Sequence, residues 1–376
     1  MTTGYVYDVR HRAHTHPEAP ESAARLDALL DTLRARGELE PLLHLEVEPI
    51  PWEWVAAAHT AAHVEAVQRL SQTGKRRISF DTYLTPAGAE VARLAASAAV
   101  RATQAVLEGQ VTNAFSLMRP PGHHALSTRA MGYCIFNNIA IATHAALRQH
   151  GLERVMIVDL DAHHGNGTEE IFYSNPQVLT ISYHQHPWFP NTGDWFRNGA
   201  EAGLGYNYNI EMPQWSGDAA YLQALQELVV PLAERYQPQL VLVAAGFDAH
   251  WVDHSSVLGL SVRGYYDLVV GLRRLAERHC AGHIVLFLEG GYNLASLSAC
   301  VAAALRALRG EPPPADPFGP CPDAPVAPVD GVLALLKGFV SLVAPPDGPD
   351  FFDQPAQIPY PIRAVGPREK GGDMER

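Results

Sequence analysis

The sequence predicts an α/β fold of three layers, with a central, mostly parallel sheet flanked by helices. Two observations carry this. Apolar runs of strand length alternate with longer segments of helical period, which is the signature of a parallel sheet covered on both faces. Residues suited to catalysis follow directly on these runs, and such sheets bind ligands beyond the carboxyl ends of their strands.

The elements can be read in order. Helical periodicity from Pro86 to Glu108 leads into a strand-like run from Asn113 to Met118, and a second helix spans Asn138 to His150. Strand-like runs follow at Val155 to Leu160 and Val178 to Tyr183, then a helix from Asp218 to Tyr236. The runs Leu240 to Ala245 and Ile284 to Leu288 enclose a helix from Val262 to His279, and a last helix covers Ala295 to Leu308. Residues 1–310 therefore read as a single catalytic domain. From 311 to 376 the chain is Pro-rich, beginning with Pro312, Pro313 and Pro314, and carries one helical segment from Gly331 to Val343. This extension is expected to pack on the domain or to be partly disordered.

Bulk properties narrow the function. With 376 residues, 47% of them apolar, a sizeable core is available. A formal charge of −12 argues against nonspecific binding to nucleic acid or an anionic membrane. No signal peptide and no membrane-spanning apolar run is visible. Cys134, Cys280, Cys300 and Cys321 form no Cys-x-x-Cys pair. A reducing cytoplasm is the expected setting, and the sequence leaves an oligomer open.

The chemistry concentrates in two segments. Asp159-Leu160-Asp161-Ala162-His163-His164-Gly165-Asn166 follows the apolar run Val155 to Val158, and His123-His124 follows Arg119-Pro120-Pro121-Gly122. On an extended segment Asp161 and His163 point the same way, and His164 points away. Asp248, beyond Leu240 to Ala245, is a candidate third ligand. Two carboxylates and one imidazole suit Zn2+, and tolerate Fe2+ or Co2+. A metal that acidifies a water still needs a base and an acid, and His123 and His124 are the candidates. Asp159 and Asn166 are the available partners for their other ring nitrogens. An Asp partner raises an imidazole pKa more than an Asn partner does, so the two histidines should differ. Tyr292, after Gly290-Gly291, is a candidate donor to an oxyanion.

These segments, with Gly132-Tyr133-Cys134-Ile135-Phe136-Asn137, Phe189-Pro190-Asn191-Thr192-Gly193, Ala245 to Asp248 and Glu289 to Asn293, resemble the histone deacetylase superfamily of arginase-like fold. That superfamily includes acetylpolyamine amidohydrolases and acetoin-utilisation proteins. Asn166 and Leu288-Glu289-Gly290-Gly291-Tyr292-Asn293 look closer to its class II branch. The resemblance implies zinc on Asp161, His163 and Asp248, with His124 as main base and acid and His123 assisting. It implies Asp159 beside His123, Asn166 beside His124, and Tyr292 polarising the acetyl carbonyl. A tunnel would be lined by Gly132, Tyr133 and Phe189. A structural K+ would be held by the backbone carbonyls of Asp159, Asp161 and His163, with Ser182.

Departures concern the rim. Tyr133 stands where the family usually has phenylalanine. Asp81 aligns loosely with a residue that holds the substrate backbone. Leu260 aligns loosely with a rim position that is acidic in some polyamine-selective members, and Asp253 and Glu201 are the candidates to replace that carboxylate. The expected activity is therefore zinc-dependent deacetylation of acetyl-lysine in proteins or peptides, with acetylpolyamines or other small acetylated amines as the alternative. A catalytically silent acyl-lysine binder and an arginase-like ureohydrolase are the competing classes. The latter needs further carboxylates for a second manganese, and His164, Gly165 and Asn166 supply none.

Overall fold

The computed structural model describes residues 2–74, 77–322 and 329–346. One sheet contains β1 (Thr3–Val6), β2 (Leu43–His44), β3 (Asn113–Ser116), β4 (Val155–Asp159), β5 (Val178–Gln185), β6 (Asn207–Met212), β7 (Leu240–Ala245) and β8 (Ile284–Leu288). Their order across the sheet is β2-β1-β3-β8-β7-β4-β5-β6. Every pairing is parallel, so the sheet is wholly rather than mostly parallel among the described residues.

Side-chain alternation along the strands builds two cores. Val155 and Ile157 pack with Leu240, Leu242 and Ala244 on one face. Met156 and Val158 pack with Val241, Val243 and Ala245 on the other. Because both faces are buried, these strands read as unbroken apolar runs. Helices Gly88–Leu107 and Asn138–Gln149 cover the first face, and helices Asp218–Ala224, Val262–His279 and Leu294–Arg309 cover the second.

Local chemistry sets the helix ends. Asn137 Oδ1 accepts from Ala140 N at 3.0 Å, and Ser261 Oγ accepts from Gly264 N at 3.0 Å. Gly310 ends its helix at φ +73°, a conformation that favours glycine. The helix expected over Asp218 to Tyr236 is interrupted by a π turn at Leu225–Val229. Pro231 follows it and has no N–H to continue the ladder, so the chain takes a wider turn.

Three strands carry little sequence signal. β1 and β2 are short, and β6 alternates Asn207 and Asn209 with apolar residues. These two buried amides donate to Glu169 Oε2 at 2.9 and 2.7 Å. The same amides also donate to the carbonyls of Arg197 and Asp194, which completes the pairing of their buried N–H groups.

The described part of the C-terminal extension packs on the domain. Helix Asp330–Lys337 places Leu333 and Leu336 in the main core, and Ala344 N donates to Tyr206 Oη at 3.1 Å. The tail beyond residue 346 lies outside the described residues. No helix among the described residues is long and apolar enough to cross a membrane.

A buried ion pair ties the N-terminal segment to the loop after β3. Arg119 Nε and Nη2 donate to Glu21 Oε1 and Oε2, both at 2.6 Å, and both residues are buried. Burial would raise the Glu21 carboxyl, but Arg119 holds it down at about 2. Arg119→Ala leaves a buried carboxylate without its partner. It should lower stability by about 3–5 kcal/mol in urea denaturation. A change under ~1 kcal/mol would mean that the pair is dispensable.

Candidate active site

Loops after β3, β4, β5, β7 and β8 meet at the carboxyl edge of the sheet, and these are five neighbouring strands. They enclose a cavity of about 580 Å³ lined by His124, Gly132, Tyr133, His163, Phe189 and Tyr292. Phe80, Asp81, Asp253, His254 and Ser255 also line it.

One ligand atom from each of Asp161, His163 and Asp248 lies within 4.8 Å of the others. His163 Nδ1 is 3.0 Å from Asp161 Oδ1 and 3.0 Å from Asp248 Oδ2. Backbone donors hold the carboxylates in place: Gly290 N to Asp161 Oδ2 at 2.8 Å and Ala162 N to Asp248 Oδ1 at 2.9 Å. A Cβ at Gly290 would sit 2.3 Å from Asp248 Oδ2, and one at Gly246 would sit 2.1 Å from Asp161 Oδ2. Glycine at both positions gives the acids room. Two buried carboxylates and an imidazole converging in this way can hold one divalent metal. His164 points elsewhere, with Nδ1 2.8 Å from Thr192 Oγ1 and Nε2 3.3 Å from Glu169 Oε2.

The two histidine rings are tilted by 42° with centroids 3.9 Å apart and have different partners. His123 Nδ1 is 2.9 Å from Asp159 Oδ2, and His124 Nδ1 is 2.8 Å from Asn166 Oδ1. Burial alone would lower His123, but Asp159, then Asp161, push it up to about 10. Burial, then the charge on His123, hold His124 well below its ordinary value. The two partners thus push the imidazoles in opposite directions, His123 towards the charged form and His124 towards the neutral one. A neutral imidazole in a cavity can accept a proton, and a charged one behind it steadies the negative charge of a reaction.

Gly132 and Tyr133 form the wall beside His124, both in left-handed backbone at φ +57° and +65°. A Cβ at Gly132 would sit 2.2 Å from His124 Cδ2, so only glycine allows this approach. Asp81 Oδ2 accepts from Gly132 N at 2.9 Å, and Thr82 Oγ1 accepts from Tyr133 N at 3.1 Å. Asp81 Oδ1 accepts from the Ser79 and Thr82 hydroxyls at 2.7 and 2.9 Å. Its carboxylate is thus engaged with the tunnel wall. Tyr133 and Tyr292 meet edge to face, with centroids 5.9 Å apart, and Phe189 lies 5.2 Å from the His124 ring.

Leu260 is not at the rim. It is fully buried in the main core, and its backbone bridges to His250. An apolar side chain next to the Ser261 cap belongs to the helix entry, and Ser255 lines the cavity. Glu201 is exposed outside the cavity lining, and Asp253 lines the cavity but is bonded within the protein. Ser182 lies opposite Asp159 in the β4–β5 register, with Oγ 2.9 Å from His184 Nδ1.

Sequence reasoning missed Glu21 and Arg25, and the bonding of Glu289. Arg25 Nε and Nη2 donate to the carbonyls of Gly291 and Glu289, both at 2.7 Å, and its guanidinium lies 4.8 Å from the centre of the Tyr292 ring. Glu289 Oε2 accepts from Gly122 N and His123 N at 2.7 and 3.2 Å. Burial pushes Glu289 up to about 7. No local pattern links these residues, which lie 266 positions apart for Arg25 and Gly291.

Asp248→Ala should abolish stoichiometric metal binding in dialysed protein analysed by elemental mass spectrometry, with the fold checked by circular dichroism. Full metal content in the folded variant would remove Asp248 from the ligand set.

A family model described as "Histone deacetylase domain" matches residues 19–308. The chain is 41% identical over 298 residues to a "Histone deacetylase-like amidohydrolase" of Pseudomonas aeruginosa, covering 78% of this chain and 77% of that one. It is 39% identical over 349 residues to a "Probable deacetylase" of Archaeoglobus fulgidus, covering 90% and 95%. It is also 37% identical over 318 residues to the human "Polyamine deacetylase HDAC10", covering 81% of this chain and 46% of that one. The crystal structure of the HDA15 HD domain superposes with a TM-score of 0.82 at 35% identity, covering 91% of this chain and 96% of that one. With strand ends, fold and relatives in agreement, this chain belongs to the histone deacetylase family.

Proposed function

We propose that the chain is a zinc-dependent deacetylase acting on acetyl-lysine side chains in proteins or peptides. One observation carries the reading: a single cavity is lined by a candidate metal ligand, His163, by His124 with its Asn166 partner, and by Tyr292. The family membership supports deacetylation as the activity.

Asp161, His163 and Asp248 would hold the zinc, which supplies a Lewis acid for the acyl carbonyl and for the attacking water. His124, neutral in its buried setting, takes the proton of that water. Tyr292 donates its hydroxyl proton to the oxygen on which negative charge develops, and burial keeps that phenol protonated. His123, held charged by Asp159, stabilises the same negative charge from behind. His124 then returns its proton to the leaving amine. Gly132, Tyr133 and Phe189 exclude water from the acyl-amine chain.

For a structural potassium the fitting positions are the carbonyls of Asp159, Asp161 and His163 with Ser182. Among the described residues the carbonyls of Asp161 and His163 accept no hydrogen bond, which leaves them for a cation. Four free cysteines fit a reducing cytoplasm.

The rim favours acetyl-lysine. A polyamine carries a second cation that calls for a free carboxylate at the mouth. Asp81 and Asp253 both line the cavity, and the oxygens of both are taken by donors of the protein itself. The likeness to a relative named as a polyamine deacetylase favours the second reading, acetylpolyamines.

On purified zinc enzyme, kcat/KM for an acetyl-lysine peptide should exceed that for acetylspermidine by at least about tenfold, equivalent to ~1.4 kcal/mol. The reverse order would favour the polyamine reading. Tyr292→Phe should retain metal and lower kcat by about 10²–10³, as loss of an oxyanion donor does. Unchanged turnover would leave the phenol a packing group.

A further inference from the structure

Tyr292 follows two glycines, and Gly291 sits at φ +118°, a conformation that L side chains rarely adopt. Such a hinge leaves the direction of the following residue open, because glycine gives it little conformational restraint. A phenol that must meet a developing charge needs sub-ångström placement. That placement has to come from outside the Gly-Gly segment.

Asp253 supplies it from the loop that follows Asp248. Its Oδ2 accepts from Tyr292 N at 2.6 Å and from Asn293 N at 2.8 Å. Its Oδ1 accepts from Ser255 N at 3.0 Å and from Ser255 Oγ at 2.8 Å. Asp253 is 3% exposed, and its own N–H donates to the His250 carbonyl at 2.8 Å. A buried carboxylate with donors on both oxygens is a stiff anchor, because charge-assisted bonds are short and directional. The next residue extends the anchor: Asn293 Oδ1 caps helix Leu294–Arg309 through Ala295 N and Ser296 N at 3.2 and 3.1 Å. On the opposite side Arg25 holds the carbonyls of Glu289 and Gly291. Tyr292 is thus gripped at the N–H by an acid and, one residue earlier, at the carbonyl by a guanidinium.

We propose that Asp253 is the positioning residue for Tyr292, fixing the tyrosine backbone through Oδ2, and not an acid offered to a cationic substrate. The assignment rests on the deacetylase reading of this cavity. It also links two loops of the site, since the chain segment that carries Asp248 directs the segment that carries Tyr292.

The test uses four enzymes: Asp253→Ala, Asp253→Asn, Tyr292→Phe and the Asp253→Ala/Tyr292→Phe double variant. Each is assayed for metal content and for kcat and KM on an acetyl-lysine peptide and on acetylspermidine. Asp253→Ala should keep its metal and lose about 10²-fold in kcat on both substrates, the cost of a displaced catalytic group. KM should change little. Asp253→Asn keeps an acceptor for the Tyr292 N–H and should recover part of the rate. The double variant should be no slower than Tyr292→Phe, because a clamp has nothing to position once the hydroxyl is gone. A double variant whose losses multiply would overturn the proposal, as would loss of metal in Asp253→Ala. An effect confined to KM for acetylspermidine would overturn it too, returning Asp253 to the rim. A Tyr292→Phe enzyme at the wild-type rate would instead strike the deacetylase role of the tyrosine, and the proposal with it.

Discussion

Four carboxylates buried at the ends of three adjacent strands set the terms for the rest of the structure. Asp159 ends β4 and Asp161 lies two residues beyond it, Asp248 follows β7, and Glu289 follows β8, with 3%, 1%, 0% and 0% exposure. Burying a carboxylate costs several kcal/mol unless donors or cations compensate it. The compensation here comes largely from neighbouring loops. Gly290 N serves Asp161, Ala162 N serves Asp248, and Gly122 N and His123 N serve Glu289. Each acid therefore ties its own strand end to another. The loops that carry the chemistry are held together by the cost of leaving any one acid unpaired.

The same arrangement divides the work of the site. Asp159 bonds His123 and raises its pKa against burial. Burial, then the charge on His123, lower His124, whose ring is bonded to the uncharged amide of Asn166. Asp161 and Asp248 face each other across His163, a pairing of like charges that suits a divalent cation. Tyr292 belongs to none of these pairs. Its backbone N–H is bonded by Asp253, and the carbonyl of the preceding Gly291 by Arg25.

The framework was legible because buried parallel strands are apolar on both faces. β3, β4, β5, β7 and β8 stood out for that reason, and the residues just beyond them named the chemistry. β6 was hidden because Asn207 and Asn209 face a buried carboxylate and break the apolar run. β1 and β2 were too short to leave a pattern. Asp161, His163 and Asp248, or His123 and His124, could be found by type and position. Arg25, Glu21 and the role of Asp253 could not, because they act through contacts between distant segments. Leu260, expected at the rim from a loose alignment, is buried in the core, whereas Ser255, five positions earlier, lines the cavity. Only packing separates the two.

The central claim is that one divalent metal completes the charge balance among these acids. Crystals of the purified protein, grown without added metal, allow anomalous diffraction above and below the zinc absorption edge. The account predicts a single zinc peak enclosed by Asp161, His163 and Asp248. No peak there, or a pair of metal peaks as in a binuclear site, would contradict it.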